Sequence, residues 1–98
     1  MAAKPVDVGS RNFARQKDAL EFFKEMLGRY SVGDVVLPAD EVDLRALLLL
    51  HRDSVHKIAG GVDHFKVMED GYGGRCFWVV RLDRSIDKFS YISCVTGR

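Results

Sequence analysis

Ninety-eight residues, 47% hydrophobic and 30% charged, suffice for one soluble globular domain spanning 1–98 and leave no room for a second core. Fifteen Lys and Arg face fourteen Asp and Glu, so the net charge is +1. That balance excludes the strong uniform field of a protein that grips bare duplex, and any nucleic-acid contact would be a local patch.

No apolar run reaches the length of a membrane span, and "MAAKPVDVGSR" lacks the apolar core of a signal peptide. A cytoplasmic location is therefore expected, with both cysteines as reduced thiols. Residues 1–5 are expected to be disordered, and 6–14 to hold a short edge strand near Phe13. The stretch "QKDALEFFKEMLGRY" places Leu20, Phe23, Leu27 and Tyr30 at three- and four-residue steps, widened by Ala19, Phe22 and Met26, which predicts an amphipathic helix ended by Gly28 and "SVGD". A second helix is predicted after Pro38. Asp40 is its expected N-cap, and Glu41 and Asp43 suit its first turn. Leu44, Leu47 and Leu48 form its stripe, and Leu49 and Leu50 broaden it until little of the helix can face water. It should stop near residues 52–54.

The connection 53–61 carries "HKIAGG", where Gly60 or Gly61 is expected to supply a positive-φ turn. From Val62 the period becomes alternating, which predicts strands at 62–69, 76–82 and 88–95 joined by "EDGYGGR" and "DRSIDK". The predicted fold is α+β: two helices on one face of a small antiparallel sheet of three or four strands, in the order (β)-α-α-β-β-β.

With 70–75 and 83–87 taken as the turns, Val67 opposes Trp78, Phe65 opposes Val80, and Cys76 opposes Cys94. Alternation then puts Phe65, Val67, Cys76, Trp78, Val80, Leu82, Ile92 and Cys94 on a core face. His64, Lys66, Met68, Phe77, Val79, Arg81, Phe89, Tyr91 and Ser93 fall on the other. A slip of one residue in either hairpin would exchange the faces of a strand.

Chemistry is sparse in these patterns. His51, His56 and His64 fall at a helix end, in a loop and on a strand, without the convergence that zinc needs. The glycines at 60 and 61 follow a helix rather than open one, and GxxxxGK is absent, which argues against a phosphate loop. Cys76 and Cys94 point to the predicted core. The pairs Glu69 with Asp70, and Asp83 with Asp87, are explained by turn chemistry. No catalytic residue, metal, cofactor or small-molecule substrate is expected. What remains is a basic and aromatic face of His64, Lys66, Phe77, Arg81, Phe89 and Tyr91, with Arg75 of the adjoining turn as a further candidate contact. Rings stack on unpaired bases and cations meet phosphates. The same face also suits a protein partner, or cover by another element of the chain.

The succession "ALEFFKEMLGRY", "LRALLLLHRDSVHKIAGGVDHFKV" and "RCFWVVRLDRSIDKFSYISCV" resembles the DCL (defective chloroplasts and leaves) family from about Phe13 to Val95. The most specific matches are Arg75, Cys76, Phe77, Arg81, Asp83, Ser85, Phe89, Ser90, Tyr91 and Cys94, with the spacing of His51, Lys57, Gly61 and Phe65 as a second set. Family members often carry Gly where Arg84 stands, Asp at Lys88, Pro at Arg52 and Gly at Ala59. The resemblance implies a small bacterial-type stand-alone member, related to plant plastid proteins and to the C-terminal domain of the largest subunit of plant RNA polymerase V. It also implies proximity to RNA, since the plant relatives are associated with plastid ribosomal RNA maturation and RNA-directed silencing. It carries over no catalytic residue. The expected function is therefore a non-enzymatic module that binds RNA or an RNA-containing complex. The alternative is a module that docks on polymerase or ribosome proteins through the same face.

Overall fold

The computed structural model describes residues 5–51 and 53–96. Strands β1 (Val6–Val8) and β2 (Arg11–Phe13) form a hairpin, where a single edge strand was expected. Gly9 takes φ 61° at the first of its two turn positions, as a type II′ turn requires. A Cβ there would lie 3.0 Å from the Cβ of Ala46, so glycine also permits the close approach to the second helix. Helix α1 (Gln16–Gly28) buries Ala19, Phe23 and Met26, as the spacing predicts.

Helix α2 (Pro38–Leu48) starts one turn earlier than an Asp40 cap would allow. Leu37 is the N-cap, with Pro38 at a position where its missing N–H has no cost. Asp40 instead accepts bonds from the Tyr30 hydroxyl at 2.5 Å and the Arg29 guanidinium at 2.9 Å, tying the end of α1 to the start of α2. The helix also stops earlier than expected, and Val42 and Leu49 face water. Buried Asp43 accepts a 2.7 Å bond from Arg11 of β2, whose guanidinium lies over the Phe22 ring.

The connection contains a single turn, α3 (Ser54–Lys57), and both Gly60 and Gly61 have positive φ. A side chain at Gly61 would collide with Leu82. Three antiparallel strands follow in the order β3-β4-β5: β3 (Val62–Glu69), β4 (Arg75–Arg81) and β5 (Ile86–Phe89). The free edge of β3 is paired by the segment around Val35, through Gly33 N–H to Val67 O, Val36 N–H to Phe65 O and Val67 N–H to Asp34 O. The strand predicted over 88–95 is two elements, since after Phe89 the chain turns into helix α4 (Tyr91–Thr96).

The register departs from the predicted one in both hairpins. Phe65 pairs with Val79, Val67 with Phe77, and Phe77 with Phe89. The loop before β4 is shorter by one residue. Asp70 pairs with Gly74 and its carboxylate accepts the N–H groups of Tyr72 and Gly74, while Gly71 and Gly73 take positive φ. The loop after β4 is Leu82–Asp83–Arg84, closed by Arg81 N–H to Ser85 O and Arg84 N–H to Arg81 O. This is the three-residue hairpin whose last position is left-handed. Arg84 occupies that position at φ 77°, the only non-glycine residue described with positive φ.

The one-residue slip in the first hairpin inverts β4. Phe65, Val67, Phe77, Val79 and Phe89 now share one face and are buried under the helices and the β1–β2 hairpin. Trp78 lies on the opposite side from Phe65, so the predicted sorting of β4 is wrong. Cys76 and Cys94 do not face each other: Cys76 is on the far side of the sheet and Cys94 is buried in α4.

Three outcomes check this arrangement. Arg84→Gly is expected to raise stability by about 1 kcal/mol, read as a higher urea midpoint, because a left-handed conformation costs an L-residue roughly 1–2 kcal/mol and glycine's extra freedom when unfolded offsets part of the gain. Phe77→Ala should lower stability by about 3–5 kcal/mol, the cost of emptying a packed site, whereas a surface ring would lose almost nothing. Burial pushes the Cys94 thiol up to about 12 and also raises Cys76. Both therefore stay protonated at pH 8, and iodoacetamide should alkylate the folded protein slowly, Cys76 before Cys94, with both reacting promptly in urea when followed by intact mass.

Candidate functional site

The seven candidate residues named from the sequence are divided by the structure. Phe77 and Phe89 belong to the core at 0% and 3% exposure, with their rings stacked at 6.1 Å. They cannot stack on a base. Tyr91 lies on α4, half-buried, with its ring edge-on to Phe77 at 6.5 Å. Burial raises the pKa of its hydroxyl.

Arg81 is on the core side as well, with a side chain only 12% exposed. Its Nε and Nη2 donate to the carbonyls of Lys57 and His56 at 3.0 and 3.1 Å. Further bonds go to Ser85 Oγ and to Asp87. The guanidinium therefore fastens α3 to the sheet and has little left for a ligand. Lys57 joins the same cluster, donating to Asp87 Oδ2 and to the carbonyl of Lys88, each at 3.0 Å.

His64 and Lys66 do lie on the outer face, as expected. The His64 ring meets the Asp63 carboxylate at 2.5 Å, which draws the Asp63 pKa down. Arg75 is exposed at the start of β4, beside the start of α4, where Tyr91 is the nearest of the predicted rings that is not in the core.

The slip brings other residues onto the outer face. Alternation there gives His64, Lys66 and Met68 from β3, Cys76, Trp78 and Val80 from β4, and Ile86 and Lys88 from β5. The direct cross-strand pairs Val35 with Lys66, Lys66 with Trp78, and Trp78 with Lys88 make one row across the sheet. None of these side chains belongs to the core cluster or packs against it. Val80 is buried although it stands on this face, and Ile86 and Val35 are half-exposed. The carboxylate that reaches this side is Asp63 at the β3 bulge, and it is held against the His64 ring. The Trp78 indole N–H donates to Glu69 O at 3.3 Å, which holds its ring toward the first hairpin loop.

Trp78 was misplaced in the sequence reading because the inversion depends on a single residue of loop length. The signal was present in "DGYGG", where an Asp followed by glycines at the first, third and fourth positions beyond it can close a five-residue loop through its own carboxylate.

The histidines do not converge. His51 Nδ1 accepts Asp53 N–H, His56 meets the Asp53 carboxylate, and His64 meets Asp63. Among the described residues no group of three or more His, Cys, Asp or Glu is placed to hold a metal ion, and no helix is long and apolar enough to cross a membrane.

Comparison with known proteins places this fold. A family model described as "Protein of unknown function (DUF3223)" matches residues 24–95. Subunit 1 of DNA-directed RNA polymerase IV from Arabidopsis thaliana is 37% identical over 75 residues, which are 76% of this chain and 5% of that protein. Protein DCL, chloroplastic, from Solanum lycopersicum is 36% identical over 73 residues, 71% of this chain and 33% of that one. The chain thus spans a third or less of the curated relatives it matches. An uncharacterized protein from Rhodospirillum rubrum, solved by solution NMR, is 44% identical, with a TM-score of 0.87 over 96% of this chain and 91% of that one. The resemblance to DCL drawn from the motif order holds, and so does the α+β fold. With most of its length matched by one family model, the chain belongs to the DUF3223 family, as a DCL-like domain.

Proposed function

We propose that this domain is a binding module without catalytic chemistry of its own, which docks a protein partner on the open face of its sheet. The observation that carries the reading is the row Val35, Lys66, Trp78, Lys88, bordered by Met68, Val80 and Ile86. Tryptophan and methionine are enriched at protein interfaces, and lysines suit a polar rim. The two lysines of this row favour an acidic partner segment that offers apolar side chains to Trp78. The relatives support portability: the domain occurs in a polymerase subunit and in a chloroplastic protein, and in each it is a minor part of the chain. Two free cysteines suit action in a reducing compartment such as the cytoplasm.

One observation favours RNA as a second reading. Trp78 stands between two lysines on neighbouring strands, an arrangement in which a base stacks on the ring and phosphates meet the cations. It offers one stacking ring where three were expected from the sequence, and Phe77 and Phe89 are lost to the core.

Trp78→Ala combined with Lys66→Glu changes this face while leaving the core cluster untouched. In affinity capture from cells, a specific protein should be retained by the wild type after nuclease treatment and depleted at least tenfold by the double variant, with both forms melting cooperatively. Equal capture by the variant would remove the sheet face from the proposal. Capture abolished by nuclease, together with single-stranded RNA binding that weakens steeply between low and moderate salt, would establish the second reading instead.

A further inference from the structure

A second site lies where the chain leaves the sheet. β5 last pairs at Phe89 with Phe77, so Arg75 and Cys76 at the start of β4 have a strand neighbour on one side only. The departure of the chain into α4 opens a notch of about 560 Å³ beside them, a volume within the range of small-ligand sites. Tyr72 of the first hairpin loop and Tyr91 of α4 both line it.

The charge around this notch is unbalanced. Lys57, Arg75 and Lys88 line it, and Arg81 stands behind Asp87. Two lining carboxylates, Asp70 and Asp87, face these cations, and Glu69 stands directly across the strand pair from Arg75. The two lining carboxylates are already engaged. Asp70 accepts the N–H groups of Tyr72 and Gly74 at 2.7 and 3.1 Å, and Asp87 accepts from Lys57 and Arg81. The surplus is one positive charge.

The cations differ in how they are held. Lys57 is fixed, with a side chain 15% exposed and its ammonium between Asp87 and the Lys88 carbonyl. Lys88 reaches the Asp70 carbonyl at 2.9 Å and lies 5.4 Å from the centre of the Tyr72 ring. Arg75 lines the notch and makes no ion pair or side-chain hydrogen bond among the described residues. A planar guanidinium of this kind suits two oxygens of one phosphate.

We propose that this notch binds a mononucleotide 5′-phosphate. The phosphate takes the Arg75 fork with the Lys88 ammonium, while the base lies against the rings of Tyr72 and Tyr91. The site borders the docking face and shares Lys88 and Cys76 with it, while Trp78 does not line the notch.

Titration of the isotopically labelled protein with adenosine 5′-monophosphate, followed by amide chemical shifts, tests the assignment. Saturable shifts are expected at Tyr72, Arg75, Cys76 and Ser90 to Ser93. Adenosine and inorganic phosphate, each lacking half of the ligand, should bind at least tenfold more weakly. Arg75→Ala should weaken nucleotide binding at least tenfold with the rest of the spectrum preserved, since Arg75 is exposed and bonds to nothing that holds the fold. Trp78→Ala should leave it unchanged. Binding of a 5′-phosphorylated hexaribonucleotide at the same amides would make an RNA end the source of the nucleotide, and its exclusion would make the source a free nucleotide. The proposal is overturned by the absence of saturable shifts at these amides, by phosphate alone binding as tightly as the nucleotide, or by an Arg75→Ala variant that binds normally.

Discussion

The length of two hairpin loops controls this molecule. Side chains alternate along a strand, so the number of residues in the loop before β4 decides which half of that strand is buried. The pairing of Asp70 with Gly74 puts Phe77 and Val79 on the side of Phe65 and Val67. The three-residue loop ending at Arg84 then brings Phe89 beside Phe77. Five apolar side chains from three strands thereby meet the buried residues of α1, α2 and α4. Burial of side chains this large is worth about 1.5–3 kcal/mol each, so a sheet in the other register would lose most of its core.

The same constraint creates the outer face. Putting the rings of β4 inward sends Trp78 outward, between Lys66 and Lys88. No helix packs on that side, because α1, α2, α4 and the β1–β2 hairpin are all drawn to the ring-bearing face. The result is a sheet with one packed side and one side on which an indole, two ammonium groups and several aliphatic groups meet water. A surface of this composition gains from contact with an acidic, partly apolar partner, since Lys66 and Lys88 flank the indole.

Arg81 and Lys57 show how a family pattern can carry architecture rather than a ligand. Both are among the residues that match the DCL pattern. Arg81 holds the carbonyl end of α3, and Lys57 crosses from α3 to the carbonyl of Lys88 and the carboxylate of Asp87. Together they anchor a connection that has only one helical turn and two positive-φ glycines of its own. The Lys57 ammonium also occupies part of the outer edge of β5, which blunts an otherwise open strand. Of the three histidines of the region 51–65, His51 and His56 share Asp53 while His64 meets Asp63, and the three make no common site.

Local rules were sufficient for the two main helices, for the positive φ at Gly60 and Gly61, for the existence of β3 and β4 and for the α+β class, because each follows from periodicity or backbone sterics within a few residues. The motif order was also enough to show the DCL-like relationship. The burial of Phe77 and Phe89 needed the tertiary structure. Arg84 stands where a glycine would have announced the left-handed end of a three-residue loop, so nothing local marked the true second turn. Ser90 to Thr96 alternates well enough to read as a strand, but the chain past Phe89 packs as α4 against α1 and α2, where Cys94 and Val95 find cover. The candidate site changed for the same reason. Composition supplied basic and aromatic residues, and only the pairing of distant segments decided that Trp78, Lys66 and Lys88 share the surface while Arg81 and the phenylalanines hold the interior.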